Sequence, residues 1–142
     1  MKEVCLISCV KTKNEGKHKA IELYGGQLFS GHLKYARETL KFSEKDIYIL
    51  SALHGVIPSD MEIEPYEKTL NNMKTSEKNK WARNVLDDLN KKFDIKNTKF
   101  LILAGKNYHE NLMPYLPHAY LPKELNGLPI GKRVQKLNQL NS

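Results

Sequence analysis

The segment that organises the chain reads Ile47-Tyr48-Ile49-Leu50-Ser51-Ala52-Leu53-His54-Gly55-Val56-Ile57-Pro58-Ser59-Asp60. Its first four residues form a short apolar run, which is typical of a buried strand. Roughly 20 residues then pass before the next helical pattern near Ser76, whereas loops in α/β domains usually take about 2–6 residues. The intervening residues include two prolines, a tyrosine and several apolar side chains, too stiff and apolar for a disordered linker. We therefore predict an ordered loop that forms a functional site.

Three further apolar runs predict strands at residues 4–10, 99–104 and 118–121. The first run is continuously apolar, as expected for a central parallel strand that is buried on both faces. Apolar residues at helical spacing predict helices at residues 20–24, 29–41, 76–93, 108–113 and 130–140. Strands separated by helices predict one three-layer α/β domain over residues 1–142, with a mostly parallel sheet of about four strands and helices on both faces.

The composition is that of an ordinary globular protein, with 40% hydrophobic and 27% charged residues in 142. No apolar run reaches the length of a membrane span, and the N-terminus has no signal-peptide pattern, so we expect a cytoplasmic protein without a membrane partner. Cys5 and Cys9 lie four residues apart on a predicted strand. They are too distant to form a disulfide and do not make a metal-binding pattern.

The net charge of +7 raises the expectation of a nucleic-acid or phosphate-bearing partner. Many of the lysines also fit ordinary solvated helix faces. Walker, GxGxxG, GxSxG and HExxH motifs are missing, which argues against several large enzyme classes. We predict neither a cofactor nor a metal site.

Ligands of parallel α/β sheets bind beyond the carboxyl ends of the strands. We therefore expect a ligand-binding site where the residues that follow the predicted strands converge: Ser8, Cys9, Lys11, Lys13, Ser51, Gly55, Tyr66, Gly105 and Tyr108, with the segment from Leu121 to Gly127. Gly55 is expected to supply a positive φ or a close backbone approach.

Two residues are candidate catalytic groups. His54 is a candidate general acid or base because imidazole titrates near neutral pH, although it can equally be a loop histidine that only packs locally. Asp60 follows in an extended segment with Glu62 and Glu64, and its carboxylate can accept a proton or bind a sugar hydroxyl. The alternative is that these are solvated loop acids that balance the lysines.

The remaining candidates suit a nucleotide. Tyr66 and Tyr108 offer aromatic faces on which a base can stack, or they are ordinary half-buried tyrosines. Lys11 and Lys13 are candidate anion contacts or mobile solvated lysines. Cys9 is a candidate nucleophile, although a cysteine at the end of a buried strand more often acts as a small hydrophobe.

The motifs carry a resemblance over nearly the whole chain. Cys9-Val10-Lys11-Thr12-Lys13 resembles the CSKTK-like strand end of a family of uncharacterised bacterial and phage domains. Residues 49–70 resemble its ILSAKYGLL-P-D-I-PY-TL block, and Leu103-Ala104-Gly105 with Tyr108 its LAG-Y strand end. The chain departs from that pattern at Val10, where the family prefers serine, and at Leu53-His54, where it often has Lys-Tyr.

The central block is also similar, more faintly, to YaaA-type peroxide-stress proteins, which are regarded as DNA-binding. A more distant likeness is to uracil-DNA-glycosylase-like α/β domains. The candidate residues and these resemblances together predict a domain directed at nucleic acid or nucleotides, and an enzyme acting on a base or its N-glycosidic bond is the first candidate. The alternatives are a non-catalytic DNA-binding module of the stress response and a small-molecule phosphate-binding domain.

Overall fold

A computed structural model describes residues 1–142 and contains seven strands: β1 (Lys2–Ser8), β2 (His18–Lys19), β3 (Ile47–Ser51), β4 (Gly55–Pro58), β5 (Glu62–Ile63), β6 (Thr98–Leu103) and β7 (Ala119–Tyr120). The α-helices are α1 (Ala20–Leu23), α2 (Gln27–Lys34), α3 (Thr75–Lys92), α4 (Lys106–His109) and α5 (Ile130–Leu140). A π-helical turn, Tyr35–Thr39, extends α2, and short 3₁₀ turns cover Glu44–Asp46, Leu70–Asn72, Ile95–Asn97 and Met113–Tyr115.

The central sheet has five strands in the order β4-β3-β1-β6-β7. β1 lies in the middle and pairs in parallel with both β3 and β6, so that Cys5 lies opposite Ile47 on one side and Leu101 on the other. Residues Val4 to Ile7 are completely buried, because a central strand covered on both faces excludes water from every side chain. The predicted α/β class and the mostly parallel sheet are confirmed.

Different helices cover the two faces of the sheet. Phe93, at the end of α3, makes edge-to-face contacts with Tyr48 and Phe100, so α3 lies on the face that those two rings share. On the other face α2 packs against α5 at Gly31, where an added Cβ would lie only 3.0 Å from Leu137 Cδ1. This close approach fixes α5 beside α2 and so determines which side chains of α5 reach the edge of the sheet.

The long segment after β3 is ordered, but it is not the loop that the sequence predicts. It turns back at residues 52–54 and forms β4, an antiparallel edge strand whose Val56 and Ile57 are each only 4% exposed. The sequence pattern does not predict this strand, because its apolar run is short and ends at Pro58. A proline is nevertheless tolerated there, since β4 is an edge strand. β5 then pairs with β2 as a separate two-stranded ribbon.

Gly55 closes the β3–β4 hairpin opposite Ser51 and has a φ of +74°. In short hairpins the turn is commonly followed by a residue with this left-handed conformation, which glycine adopts without steric cost. The predicted positive φ at Gly55 is confirmed, and its physical cause is the turn.

We expect Gly55→Ala to lower the free energy of unfolding by about 1–2 kcal/mol, because an L-residue is strained at positive φ. A clash is not the cause, since the nearest atom to an added Cβ is Val85 Cγ2 at 3.8 Å. Gly131→Ala is the matched control, because that glycine lies in α5 with nothing within 4 Å of an added Cβ. Urea denaturation measures both variants, and equal stability of the two would contradict the role assigned to Gly55.

Candidate functional site

A cavity of about 750 Å³ opens at the carboxyl ends of β1 and β6. We call it the main cavity. Its walls come from five parts of the chain: residues 8–12 after β1, α2 with the glycines before it, the Thr69–Asn72 turn, residues 105–108 after β6, and α5 with Leu128 before it. It is lined by Ser8, Cys9, Val10, Lys11, Thr12, Gly25, Gly26, Gln27, Leu28, His32, Thr69, Asn71, Asn72, Gly105, Tyr108, Leu128, Ile130, Arg133 and Val134.

The main cavity is positively charged. None of its 19 lining residues is Asp or Glu, whereas Lys11 and Arg133 are both cationic. The ion pairs of the chain, Lys2–Asp46 and Arg37–Glu44, lie elsewhere and engage neither cation. Neither Lys11 nor Arg133 therefore forms an ion pair with a carboxylate of the protein.

Arg133 is held in place by two hydrogen bonds. Its Nε donates to His32 Nε2 at 2.9 Å, and its Nη1 donates to the Leu125 carbonyl oxygen at 3.0 Å. Burial, together with the charge of Arg133, lowers the pKa of His32 to about 3, so the imidazole is neutral at pH 7 and can accept. This neutral acceptor orients the guanidinium at the cavity wall and leaves its charge uncompensated.

Tyr108 connects three elements at the floor of the main cavity. Its hydroxyl lies 3.3 Å from Cys9 Sγ, accepts a hydrogen bond from the Leu70 backbone N–H at 3.4 Å, and lies 3.5 Å from Thr69 Oγ1. Trp81 packs edge-on against its ring. Burial raises the pKa of Tyr108, so its hydroxyl keeps its proton at neutral pH. The thiol of Cys9, 6% exposed, therefore has a protonated hydroxyl as its neighbour.

Behind the main cavity, three hydroxyls form a cluster. The Tyr66 hydroxyl lies 2.7 Å from the Tyr24 hydroxyl and 2.7 Å from Ser51 Oγ, which also accepts from the His54 backbone N–H at 3.0 Å. Trp81 Nε1 donates to the Ser51 carbonyl oxygen at 2.8 Å. We call Tyr24, Ser51 and Tyr66 the hydroxyl cluster. It ties the end of β3 to the segments on either side of it.

Lys13 lies over this cluster and not in the main cavity. Its Nζ donates to the carbonyl oxygens of Val10 at 2.9 Å and Lys11 at 3.2 Å, and lies 4.5 Å from the centre of the Tyr66 ring. Burial lowers the pKa of Lys13. Because two of its three N–H donors are occupied by the backbone, Lys13 shapes the loop after β1. Of the two lysines predicted to contact an anion, only Lys11 lines the main cavity.

The structure brings about half of the predicted site residues into one cavity. Ser8, Cys9, Lys11, Gly105 and Tyr108 line it. A second group lies behind it, around the hydroxyl cluster and the β3–β4 turn: Lys13, Ser51, His54, Gly55 and Tyr66. The ring of His54 is exposed and packs edge-on against Tyr66, as the local-packing alternative predicts.

The expectation that Asp60 lies with the other candidates is wrong. β4 runs antiparallel to β3, so Pro58 lies opposite Tyr48, and Ser59 Oγ donates to the Ile47 carbonyl oxygen. Asp60 follows directly and is exposed at the amino end of β3. The reversal of the chain at residues 52–54 therefore carries this carboxylate to the opposite edge of the sheet.

The sequence pattern did not indicate several of the residues that line the main cavity. Gly25 and Gly26 lie between two predicted helices, and Gly26 is the N-cap of α2, with a φ of +91°. Asn71 and Asn72 lay in the segment read as a loop. Arg133 and His32 lie within helical patterns, in which periodicity does not distinguish a cavity-lining polar residue from a solvated one.

No helix combines the length and the apolar character that crossing a bilayer requires. No group of three or more His, Cys, Asp or Glu side chains is placed to hold a metal ion.

The fold and the cavity define a class: a single mostly parallel α/β domain with a positively charged cavity at the carboxyl ends of its strands. Residues 4–139 match a family described as a family of unknown function, DUF6884, and the chain belongs to that family. The expected membership of an uncharacterised family is confirmed. No curated protein matches the sequence.

The hydroxyl cluster should make stability fall at alkaline pH. Burial raises the pKa of Tyr24 to about 12, above the ordinary value of 10 that applies to the unfolded chain. Between these values the unfolded state has lost a proton that the folded state keeps, so the free energy of unfolding decreases as the pH rises from 10 towards 12.

Urea denaturation at pH 8, 10 and 11 measures this slope, which we expect to be shallower in Tyr24→Phe than in the wild type. Tyr115→Phe is the control, because that ring is 65% exposed. A slope in Tyr24→Phe as steep as that of the wild type would contradict the prediction.

Proposed function

We propose that the main cavity binds a nucleotide, either free or as one unit of a nucleic acid. The observation that carries the proposal is the charge of the cavity, in which Lys11 and Arg133 face a space without a single carboxylate. A phosphate group supplies the missing negative charge, and charge-assisted hydrogen bonds from Lys and Arg to phosphate are among the strongest in proteins.

The remaining lining residues suit a base and a sugar. Gln27, Asn71 and Asn72 carry side-chain amides, which offer both donors and acceptors, as the edge of a base does. Asn107 Nδ2 donates to Asn71 Oδ1 at 2.7 Å, so the amide nitrogen of Asn71 remains as a donor. Apolar contact is supplied by Val10, Leu28, Tyr108, Leu128, Ile130 and Val134.

The start of α2 adds to the positive potential. Gly26 caps this helix without a side chain, and the first backbone N–H groups of a helix have no partner within it. Partial positive charge at this end of the helix favours an anion. The volume of about 750 Å³ lies within the range of about 300–1,000 Å³ that is usual for small-molecule sites.

A concave site of this volume favours a bound nucleotide over a flat DNA-binding surface. For catalysis, Cys9 and Tyr108 are the groups positioned to touch a ligand, since Asp60 lies at the opposite edge of the sheet and His54 lies outside the main cavity. Resemblance of the motifs to YaaA-type and uracil-DNA-glycosylase-like domains supports a nucleic-acid-directed role. The second candidate, a small-molecule phosphate-binding domain, shares the same cationic groups and differs in having no requirement for a base.

Calorimetric titration with adenosine, guanosine, cytidine and uridine 5′-monophosphates at low ionic strength tests the proposal. We expect at least one of them to bind, and Lys11→Gln to weaken its binding about tenfold, because one charge-assisted contact to phosphate is lost. Lys91→Gln is the matched control, since it removes the same charge from an exposed position near the end of α3.

Two outcomes would count against the nucleotide site. One is that inorganic phosphate binds as tightly as every mononucleotide, which would leave only the phosphate-binding domain. The other is that Lys91→Gln weakens binding as much as Lys11→Gln, which would reduce the effect to the overall charge of +7.

Cysteine modification locates the ligand independently. Iodoacetamide should modify Cys9, which lines the main cavity, and the nucleotide should slow that reaction severalfold by covering the thiol. Cys5 is the internal control, because it is completely buried and burial raises the pKa of its thiol. Mass spectrometry follows both sites, and an unchanged rate at Cys9 in saturating nucleotide would place the ligand elsewhere.

A further inference from the structure

A second cavity of about 480 Å³ adjoins the main cavity. We call it the side cavity. The two cavities share Gly105, Leu128 and Arg133 as a common wall. The remaining polar side chains of the side cavity belong to Lys106, His109, Glu110 and Asn126. The two cavities therefore lie side by side, with the Arg133 side chain facing both.

The side cavity also carries an excess of positive charge. Lys106 and Arg133 face one carboxylate, that of Glu110, and neither cation forms an ion pair with it. Burial lowers the pKa of His109, Glu110 raises it, and the charges of Arg133 and Lys106 lower it further. Lys106, His109 and Arg133 line the same cavity, so both cations surround one space.

Arg133 has donors to spare for this space. A guanidinium has five N–H donors, and the bonds to His32 and to the Leu125 carbonyl oxygen use two of them. These two bonds hold the group rigidly in the wall between the cavities. The other N–H groups remain for ligands on either side of it.

We propose that the side cavity is a second anion subsite, bound by Lys106 and Arg133, and that the ligand carries two phosphates on one nucleoside. This inference rests on the proposed function, in which the main cavity holds the base, the sugar and the first phosphate beside Lys11. A nucleoside flanked by two phosphates occurs as a free 3′,5′-bisphosphate and as each internal unit of a nucleic-acid strand. Both sources share the chemistry that the two cavities recognise.

The test compares a nucleoside 5′-monophosphate with the 3′,5′-bisphosphate of the same nucleoside, titrated at equal ionic strength. We expect the bisphosphate to bind about tenfold more tightly, as one additional charge-assisted phosphate contact provides. Lys106→Gln should remove most of that advantage and leave the affinity for the monophosphate unchanged, because Lys106 lines only the side cavity. Lys91→Gln again controls for the loss of one positive charge.

A single-stranded pentanucleotide identifies the source of the second phosphate. Binding as tight as that of the bisphosphate assigns the subsite to a strand, and weaker binding assigns it to a free bisphosphate; both support the second subsite. Equal affinity for the monophosphate and the bisphosphate would overturn it while leaving the nucleotide site intact. The second subsite would also be overturned if Lys106→Gln weakened the binding of the monophosphate and the bisphosphate equally. If neither the monophosphate nor the bisphosphate binds, the proposed function and this inference are overturned together.

Discussion

The parallel pairing of β1 with both of its neighbours is the constraint on which the rest of the molecule depends. Because β3 and β6 run in the same direction as β1, the residues that follow Ser8 and Leu103 emerge at the same edge of the sheet. Complete burial of the apolar side chains in β1 stabilises this arrangement, since each one contributes about 1.5–3 kcal/mol of hydrophobic free energy. The main cavity is the space left between those emerging segments and the helices.

The walls of that cavity depend on interactions between distant parts of the chain. Tyr108 joins the segment after β6 to Cys9 and to the Leu70 backbone, and the contact of Gly31 with Leu137 places α5 alongside α2. That placement brings Arg133 against His32, two residues that are 101 positions apart. A half-buried guanidinium without an ion-pair partner is costly to keep desolvated, and the bonds to His32 and to the Leu125 carbonyl oxygen offset part of that cost.

Prediction from sequence succeeded where the signal was local and continuous. The apolar run of β1, the helical spacing in α3 from Trp81 to Leu89, and the glycine at the hairpin all indicated the structure that formed. It failed at β4, whose four residues carry no strong strand signal and are ordered by pairing with β3. Asp60 was misplaced for the same reason, since the reversal after β3 carries the end of β4, and the residue that follows it closely, back to the amino end of β3.

The sequence by itself determined the α/β class, the central position of the apolar strand β1 and which residues follow the main strands. These features follow from the spacing of apolar side chains and from backbone preferences. Only the tertiary structure decided which polar side chains meet. In the tertiary structure Lys13 donates to the backbone, and His32 accepts a hydrogen bond from Arg133. Lys11 and Arg133 line a cavity that contains no carboxylate. These outcomes depend on packing between segments far apart in the chain, and the approach of α2 to α5 has no local signature that periodicity can reveal.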